Sequence, residues 1–239
     1  MNKLFYIVFL IPLFISCQEN TETIPEEPIN VEIMYTMPEE SAPHEGTWLQ
    51  WPHQYQYGLD YRNDLDHTWV TMTKSLITSE KVHIIAYDTT EKNRIVSLLD
   101  NAGVSLSNIE FKMHKTDDVW VRDNGPIYVK DKNNQLVIQD WGFNGWGKKA
   151  AFQNCNSIPM QIAADQKTTV IDLNSVMINE GGAVEIDGNG TLLATRSAIL
   201  NSNRNPGMTQ LQAEANFKKY LGTTHFIWLD GKAGREITD

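Results

Sequence analysis

Three carboxylates, a guanidinium and an indole fall together in Thr116-Asp117-Asp118-Val119-Trp120-Val121-Arg122-Asp123-Asn124-Gly125-Pro126. A carboxylate accepts two parallel N–H bonds, and an indole face attracts positive charge, so this set suits a planar cation. The Gly-Pro ending places the cluster in a loop, and loops on a rigid scaffold are where ligand-binding groups concentrate. The same spacing also fits a surface turn closed by an internal Asp–Arg pair. A second cluster, Asn179-Glu180-Gly181-Gly182, sets a carboxylate where bare backbone can approach closely. Acidic residues beside glycine are common in ordinary turns, so this cluster alone carries little.

Nucleophilic and metal chemistry have less to draw on. The chain has two cysteines, Cys17 and Cys155. Cys155 sits in Gln153-Asn154-Cys155-Asn156 with no His close in sequence, and it reads as an unreactive thiol. With no CxxC and no His/Cys grouping, a metal site has no candidate ligands. The formal net charge is −10, yet positions 41–239 carry 19 basic and 23 acidic residues and are nearly balanced. No basic stripe offers itself to nucleic acid, so that partner is excluded.

Positioning such loops requires a framework, and its elements are legible in the alternation of patterns. Asn63–Ser79 reads as a helix, with Leu65, Trp69, Met72 and Leu76 on one face. Thr90–Asn101 reads as a second helix with Gly103 just past its end, and Thr209–Leu221 as a third, capped by Thr209 and stopped by Gly222. A shorter helix is expected to begin near Ser157-Ile158-Pro159. Strands are expected at 47–51, 81–87, 108–113, 126–130, 135–141, 170–173 and 225–229. The segments 183–186 and 191–194 form a hairpin across Asp187-Gly188-Asn189-Gly190. Such alternation argues an α/β fold.

The N-terminus is of a different kind. Lys3 precedes an unbroken apolar run from Leu4 to Ile15, too short for a spanning helix but fitting the core of a secretory signal. The run ends at Ser16-Cys17, which resembles a bacterial lipobox with Cys17 as the lipidated residue. Residues 1–17 are therefore expected to be a lipoprotein signal peptide, and the protein to be exported and held in the cell envelope by that lipid alone. Residues 18–36, rich in Glu, Thr, Pro and Asn, read as a flexible acidic tether. The folded domain is expected over 37–239.

Six blocks, taken in order, resemble one family. They are Met37-Pro38 with Ser41-Ala42-Pro43-His44-Glu45-Gly46-Thr47-Trp48 and Trp51-Pro52-His53; Asp117 to Pro126; Asp140-Trp141-Gly142-Phe143-Asn144-Gly145-Trp146-Gly147; Glu180-Gly181-Gly182; Asp187 to Leu193; and Leu200-Asn201-Ser202-Asn203-Arg204-Asn205-Pro206. Together they are similar to the agmatine deiminase and bacterial (Porphyromonas-type) peptidylarginine deiminase family. The resemblance implies the α/β-propeller (pentein) fold of guanidine-modifying enzymes, built from ββαβ units. It implies hydrolysis of a guanidinium to a ureido group and ammonia, agmatine to N-carbamoylputrescine on the route to polyamines, without metal or organic cofactor. Asp123 then matches the family's guanidinium-gripping carboxylate, and Glu180 the Glu that partners a catalytic His. Trp120 lies where a substrate-contacting Trp is expected.

That chemistry is physically coherent. A guanidinium stays protonated and is a poor electrophile, so flanking carboxylates must orient it for attack by a thiolate. A His then protonates departing ammonia and activates water. In the family a His-x-Asp pair and a late Cys follow the segment that corresponds to Gly234–Asp239, and neither is found here. The chain is accordingly expected to be a C-terminally truncated, incomplete propeller, inactive alone. Two alternatives stay open, action on peptidyl arginine and a non-catalytic surface lipoprotein that binds guanidinium ligands. Assembly as a homo-oligomer is also left open.

Overall fold

The computed structural model describes residues 29–232. The expected signal peptide and Cys17 lie outside the described residues, as does most of the expected tether. Where that segment is described it pairs: β1 (Tyr35–Thr36) runs antiparallel to β5 (Ile127–Asp131). Met34 N–H and Met37 N–H also donate to Lys219 and Leu221 carbonyls at 2.9 and 3.0 Å. Tyr35 and Thr36, read from the sequence as tether, are thus tied to the folded domain, because an edge strand offers them backbone partners that composition does not reveal.

Among the described residues, three sheets make up the framework. The first holds β2 (Gly46–Gln50), β3 (Lys81–Ala86) and β4 (Ile109–Met113), parallel throughout. Its crossovers are α1 (Gln54–Leu76) and α2 (Thr89–Asn101). The run Val82-His83-Ile84-Ile85-Ala86 is fully buried, as a strand covered on both faces requires. Asp88 starts α2 by accepting from Glu91 N–H at 2.8 Å, and Ile95 and Leu99 turn inward. The α1 helix begins nine residues before the expected Asn63, broken at Gly58, whose φ of +84° leaves the helical region. Arg62 and Arg94 straddle buried Glu91 at 2.9 and 2.7 Å, tying α1 to α2.

The two remaining sheets repeat one order of elements. In the second, β5 and β6 (Leu136–Gly142) form an antiparallel hairpin, and a crossover through α5 (Ile158–Gln166) brings β7 (Val170–Ile178) parallel to β6. In the third, β8 (Val184–Ile186) and β9 (Thr191–Thr195) form the hairpin. The helix α7 (Gln210–Leu221) then returns the chain to β10 (His225–Leu229), parallel to β9. This is the expected ββαβ unit, present twice. The largest core lies between these two units, around Trp141, Leu173, Leu192, Ile199 and Phe217.

Several short pieces interrupt the stretches read as loops: α3 (Val121–Asn124), α4 (Gly145–Lys148), α6 (Arg196–Ile199) and 3-10 turns at Cys155–Ser157 and Gly181–Ala183. Among the described residues no helix is long and apolar enough to cross a membrane.

Candidate functional site

Four segments leave the carboxyl ends of parallel-paired strands: 114–126 after β4, 143–149 after β6, 179–183 after β7 and 196–206 after β9. Ligands in α/β folds gather at such ends. The first segment delivers Asp123 on α3, a single turn held by Asp123 N–H and Asn124 N–H donating to Trp120 O at 3.0 and 3.2 Å. The turn rests against Gly181, where any Cβ would strike the Arg122 carbonyl. Glycine is needed there for close approach.

Burial pushes the Asp123 carboxyl up to about 6, opposed by the Trp146 indole N–H, the Gly182 backbone N–H and the Arg122 charge, while Asp118 adds to the rise. Trp146 Nε1 itself is buried without a hydrogen-bond partner.

The other members of the cluster have different tasks. Asp117 accepts from Asn154 N–H and Asn154 Nδ2, both at 2.7 Å, and from Cys155 N–H at 3.1 Å. It fastens the 3-10 turn to the loop. Asp118 accepts from Tyr57 Oη at 2.9 Å and from Val119 N–H at 2.8 Å, with its pKa raised by burial. Arg122 turns outward to Glu40 and to Glu185, the latter at 3.4 Å, so no internal hydrogen-bonded Asp–Arg pair closes the loop. Trp120 stands at its edge, 54% exposed. Cys155 is fully buried against Phe143 and Trp146, and burial drives its thiol up to about 11. A thiol in that state is inert.

The third segment carries Glu180, which is 1% exposed and paired with Arg204 Nε at 3.0 Å. Its pKa is raised by burial, with Arg204 opposing and the Asp123 charge adding to the rise. Oε1 takes the guanidinium, whereas Oε2 is buried without a partner. Arg204 also donates to Asn203 Oδ1 at 3.2 Å, and Asn203 O accepts from Asn144 Nδ2 at 2.9 Å. Asn144 in turn caps α4, accepting from Gly147 N–H at 2.8 Å. These contacts run from the α4 turn through Asn144, Asn203 and Arg204 to Glu180.

The α4 turn itself has an unusual hand. Gly145, Trp146, Gly147 and Lys148 all have positive φ, at 65°, 56°, 81° and 65°. Lys148 N–H and Lys149 N–H close i to i−4 bonds of 2.8 Å onto Asn144 and Gly145 carbonyls. This is one turn of left-handed helix. For Trp146 and Lys148 that conformation costs roughly 1–2 kcal/mol each, a kind of strain that clusters at functional sites.

The structure therefore packs the short turn that bears Asp123 against the Gly181 turn that follows Glu180, with Trp120 on the exposed side. Two contributors went unassigned in the sequence, Trp146 and Arg204. Both lie in quoted blocks, but an Arg in an Asn-rich turn gives no sign that a carboxylate 24 positions away will be buried with it. Among the described residues no grouping of three or more His, Cys, Asp or Glu could hold a metal ion.

Comparison with known proteins places these features among relatives. Residues 36–239 match the family described as Porphyromonas-type peptidyl-arginine deiminase. The chain is similar to the agmatine deiminase of Pseudomonas aeruginosa, 30% identical over 212 residues, covering 86% of this chain and 55% of that protein. It is likewise similar to the agmatine deiminase of Stutzerimonas stutzeri, 31% identical over 210 residues with the same coverage of 86% and 55%. A solved structure of a Campylobacter jejuni agmatine deiminase with substrate bound superposes with a TM-score of 0.70 at 25% identity, covering 85% of this chain and 59% of that one. The chain thus spans a little over half the length of the relatives it matches. Its mixed α/β architecture is that of these pentein-fold deiminases, with part of the propeller present.

Proposed function

The chain belongs to the Porphyromonas-type peptidyl-arginine deiminase family, and from that premise we propose that it carries the guanidinium-recognition half of a hydrolytic deiminase. The substrate is agmatine, converted to N-carbamoylputrescine and ammonia. The reading rests above all on Asp123, a largely buried carboxyl that hydrogen-bond donors and Arg122 help to keep charged, set beside Glu180. Ionised, Asp123 grips two guanidinium N–H groups and orients the carbon between them. Glu180 is held by Arg204 through one oxygen, and the other, unpartnered, is available to orient an imidazole. In the complete reaction a thiolate adds to the guanidinium carbon and ammonia leaves with a proton from that imidazole. Water then releases the ureido product and restores the thiol. Buried Cys155 does not supply that thiolate.

Because a cation needs Asp123 ionised, binding should fade as pH falls through about 6. Isothermal titration of the full chain with agmatine is expected to show saturable binding at pH 7.5, weakened at pH 5. Ureido formation, if found, should be unchanged by Cys155→Ala. Turnover lost on Cys155→Ala would overturn the exclusion of that thiol, and absence of agmatine binding would overturn the reading itself. Binding with no turnover would favour the non-catalytic alternative. One observation favours peptidyl arginine as a second substrate class: exposed Trp120 and Tyr57 leave the rim of the cluster open to a longer chain. An arginine-containing peptide titrated alongside agmatine separates the two.

Export as a lipoprotein is likewise a proposal, supported by the apolar run ending at Ser16-Cys17. Mass spectrometry of the mature N-terminus is expected to find diacylglycerol on Cys17, and an unlipidated terminus starting elsewhere would refute it.

A further inference from the structure

We propose that the first turn of α1, residues 54–57, is a pH-sensitive strap at the rim of the acidic cluster, latched by neutral His53, hinged at Gly58 and released when His53 takes up a proton. The latch does not depend on the guanidinium reading, which only gives the rim a ligand to admit.

Three observations of geometry carry it. The first is the tautomer that the partners of His53 impose. His53 is the N-cap of α1, and its Nδ1 accepts from the Tyr55 backbone N–H at 3.2 Å. A backbone N–H can only donate, so Nδ1 carries a lone pair and the ring proton sits on Nε2, which donates to Thr116 O at 2.9 Å. The residue is buried, and its ring lies 4.5 Å from the Tyr87 ring and 5.8 Å from that of Tyr55. The second observation is the hinge. Gly58 leaves the helical region with φ +84° and ψ 179°, and a Cβ there would meet nothing within 4 Å. The turn before it is thus set apart from the body of the helix, and residues 55–60 are all exposed. The third is what the strap holds. Tyr57 Oη donates to Asp118 Oδ2 at 2.9 Å, and Tyr55 Oη donates to Asp88 Oδ2 at 3.0 Å. With the Thr116 contact, these bonds tie the strap to the loop that leads on to Trp120 and Asp123.

A proton added to Nδ1 turns the acceptor into a donor facing another donor, and the cap is lost. Burial holds the His53 pKa below its ordinary 6.5, while Thr116 O, Glu91, Asp117 and Asp118 oppose that fall. Those carboxylates face the ring from α2 and from the loop, and Glu91 is itself paired with Arg62 and Arg94. Opening the strap returns the ring to water and to its ordinary value, so the open form binds the proton more tightly. Opening is therefore favoured as pH falls below about 6.5, by up to about tenfold per unit, and levels off below the lowered value.

The test reads the latch directly. In the 15N-labelled full chain, the His53 ring signals, identified by their absence in His53→Asn, should show Nδ1 bare and Nε2 protonated at pH 7.5. Between pH 7.5 and 4.5 the Tyr55 amide, corrected for intrinsic exchange, should lose protection several-fold or more, while the Ile84 amide keeps its own. The Tyr57 ring resonances should shift with the same midpoint as His53, below 6.5. Asparagine is a good cap that does not titrate, so His53→Asn should keep Tyr55 protected and erase the pH step. Tyr57→Phe, which removes only the bond to Asp118, should loosen the strap at both pH values and leave the step in place. A His53 ring protonated on Nδ1 at pH 7.5, or a Tyr55 amide that ignores pH, would overturn the proposal. So would a step that survives in His53→Asn, since it would belong to Asp118, whose pKa burial raises. Should His53→Asn fail to fold, separate midpoints for His53 and Tyr57 in the unmutated chain would overturn it equally. Failure of agmatine to bind would count against the guanidinium reading and leave each of these signals unchanged.

Discussion

Asp123→Asn is expected to abolish guanidinium recognition and, at neutral pH, to raise the melting temperature. The two effects share one cause. Burial lifts this carboxyl from the ordinary 3.8 to about 6, so the folded protein holds the proton more tightly than the unfolded chain does. For an acid shifted upward, the cost of ionisation is absent below about pH 4, grows between about 4 and 6, and is complete above. Two units correspond to roughly 3 kcal/mol at most. Asparagine keeps the shape without the charge, and after the loss of its hydrogen-bond donors' best acceptor a gain of about 1–2 kcal/mol remains, or several degrees in Tm. Binding moves the other way. Losing the charge and one acceptor of a bidentate pair should cost about a hundredfold or more in agmatine Kd, and in kcat/KM wherever turnover is measured.

Calorimetric melts at pH 7.5 and 4.5, with titration of agmatine into each, check both halves. The stabilisation should disappear at the lower pH. Asp117→Asn is the informative contrast, because Asp117 holds Asn154 and Cys155 backbone groups. It should lower Tm and leave affinity within a few fold. Near-normal agmatine affinity in Asp123→Asn would remove the main support for a guanidinium ligand.

Arg204→Met should be among the most destabilising single changes in the chain. Arg204 and Glu180 are 2% and 1% exposed in their side chains, and Oε2 of Glu180 already lacks a partner. Deleting the guanidinium strands a carboxylate away from water, which typically costs about 3–5 kcal/mol. In a domain of this size that is on the order of 10 °C. Glu180, whose pKa burial already raises, would then take up a proton more readily still. The deficit should therefore be full at neutral pH and shrink as pH falls through the raised value. Adding Glu180→Gln should restore a large part of the loss, since the stranded charge is gone. Thermal melts of the two single variants and the double variant complete the cycle. A loss below about 1 kcal/mol in Arg204→Met would mean that the pair is not what holds this part of the site.

Elements with local signals were readable in advance. Thr209, Gln212 and Gly222 bound α7 with a full capping box and a left-handed stop, and its helix spans the expected residues. The Asp187–Gly190 hairpin is where its turn residues demand. The early turns of α1 were missed because Gln54–Tyr61 has no apolar stripe and Gly58 interrupts it. The β7 strand runs five residues past the expected Leu173, because the register shift at Trp141/Gly142 leaves residues 174–177 out of the pairing and brings Ile178 back opposite Gly142. In the site, residue types and spacing marked Asp123 and Glu180, but the division of labour within the cluster depends on partners distant in sequence, Asn154 for Asp117 and Tyr57 for Asp118. The left-handed turn could not be read at all. Trp146 and Lys148 have no intrinsic preference for that region, and only Asn144, Ala150 and Asn203 impose it.

That imposed turn has a kinetic corollary. Gly145–Lys148 gains nothing by forming alone, since its left-handed residues are unfavourable until Asn203, 59 positions from Asn144, has docked. The hairpins, by contrast, close over a few residues. The contacts that run from the α4 turn to Glu180 should therefore assemble after the folding barrier is crossed, with φ-values near zero at Trp146, Asn203 and Arg204. Substitutions there would hasten unfolding and leave the folding rate almost untouched. Amide exchange should likewise find the turn opening well below the free energy needed to expose Ile84 or Leu192, so the protein can loosen its site without surrendering its sheets.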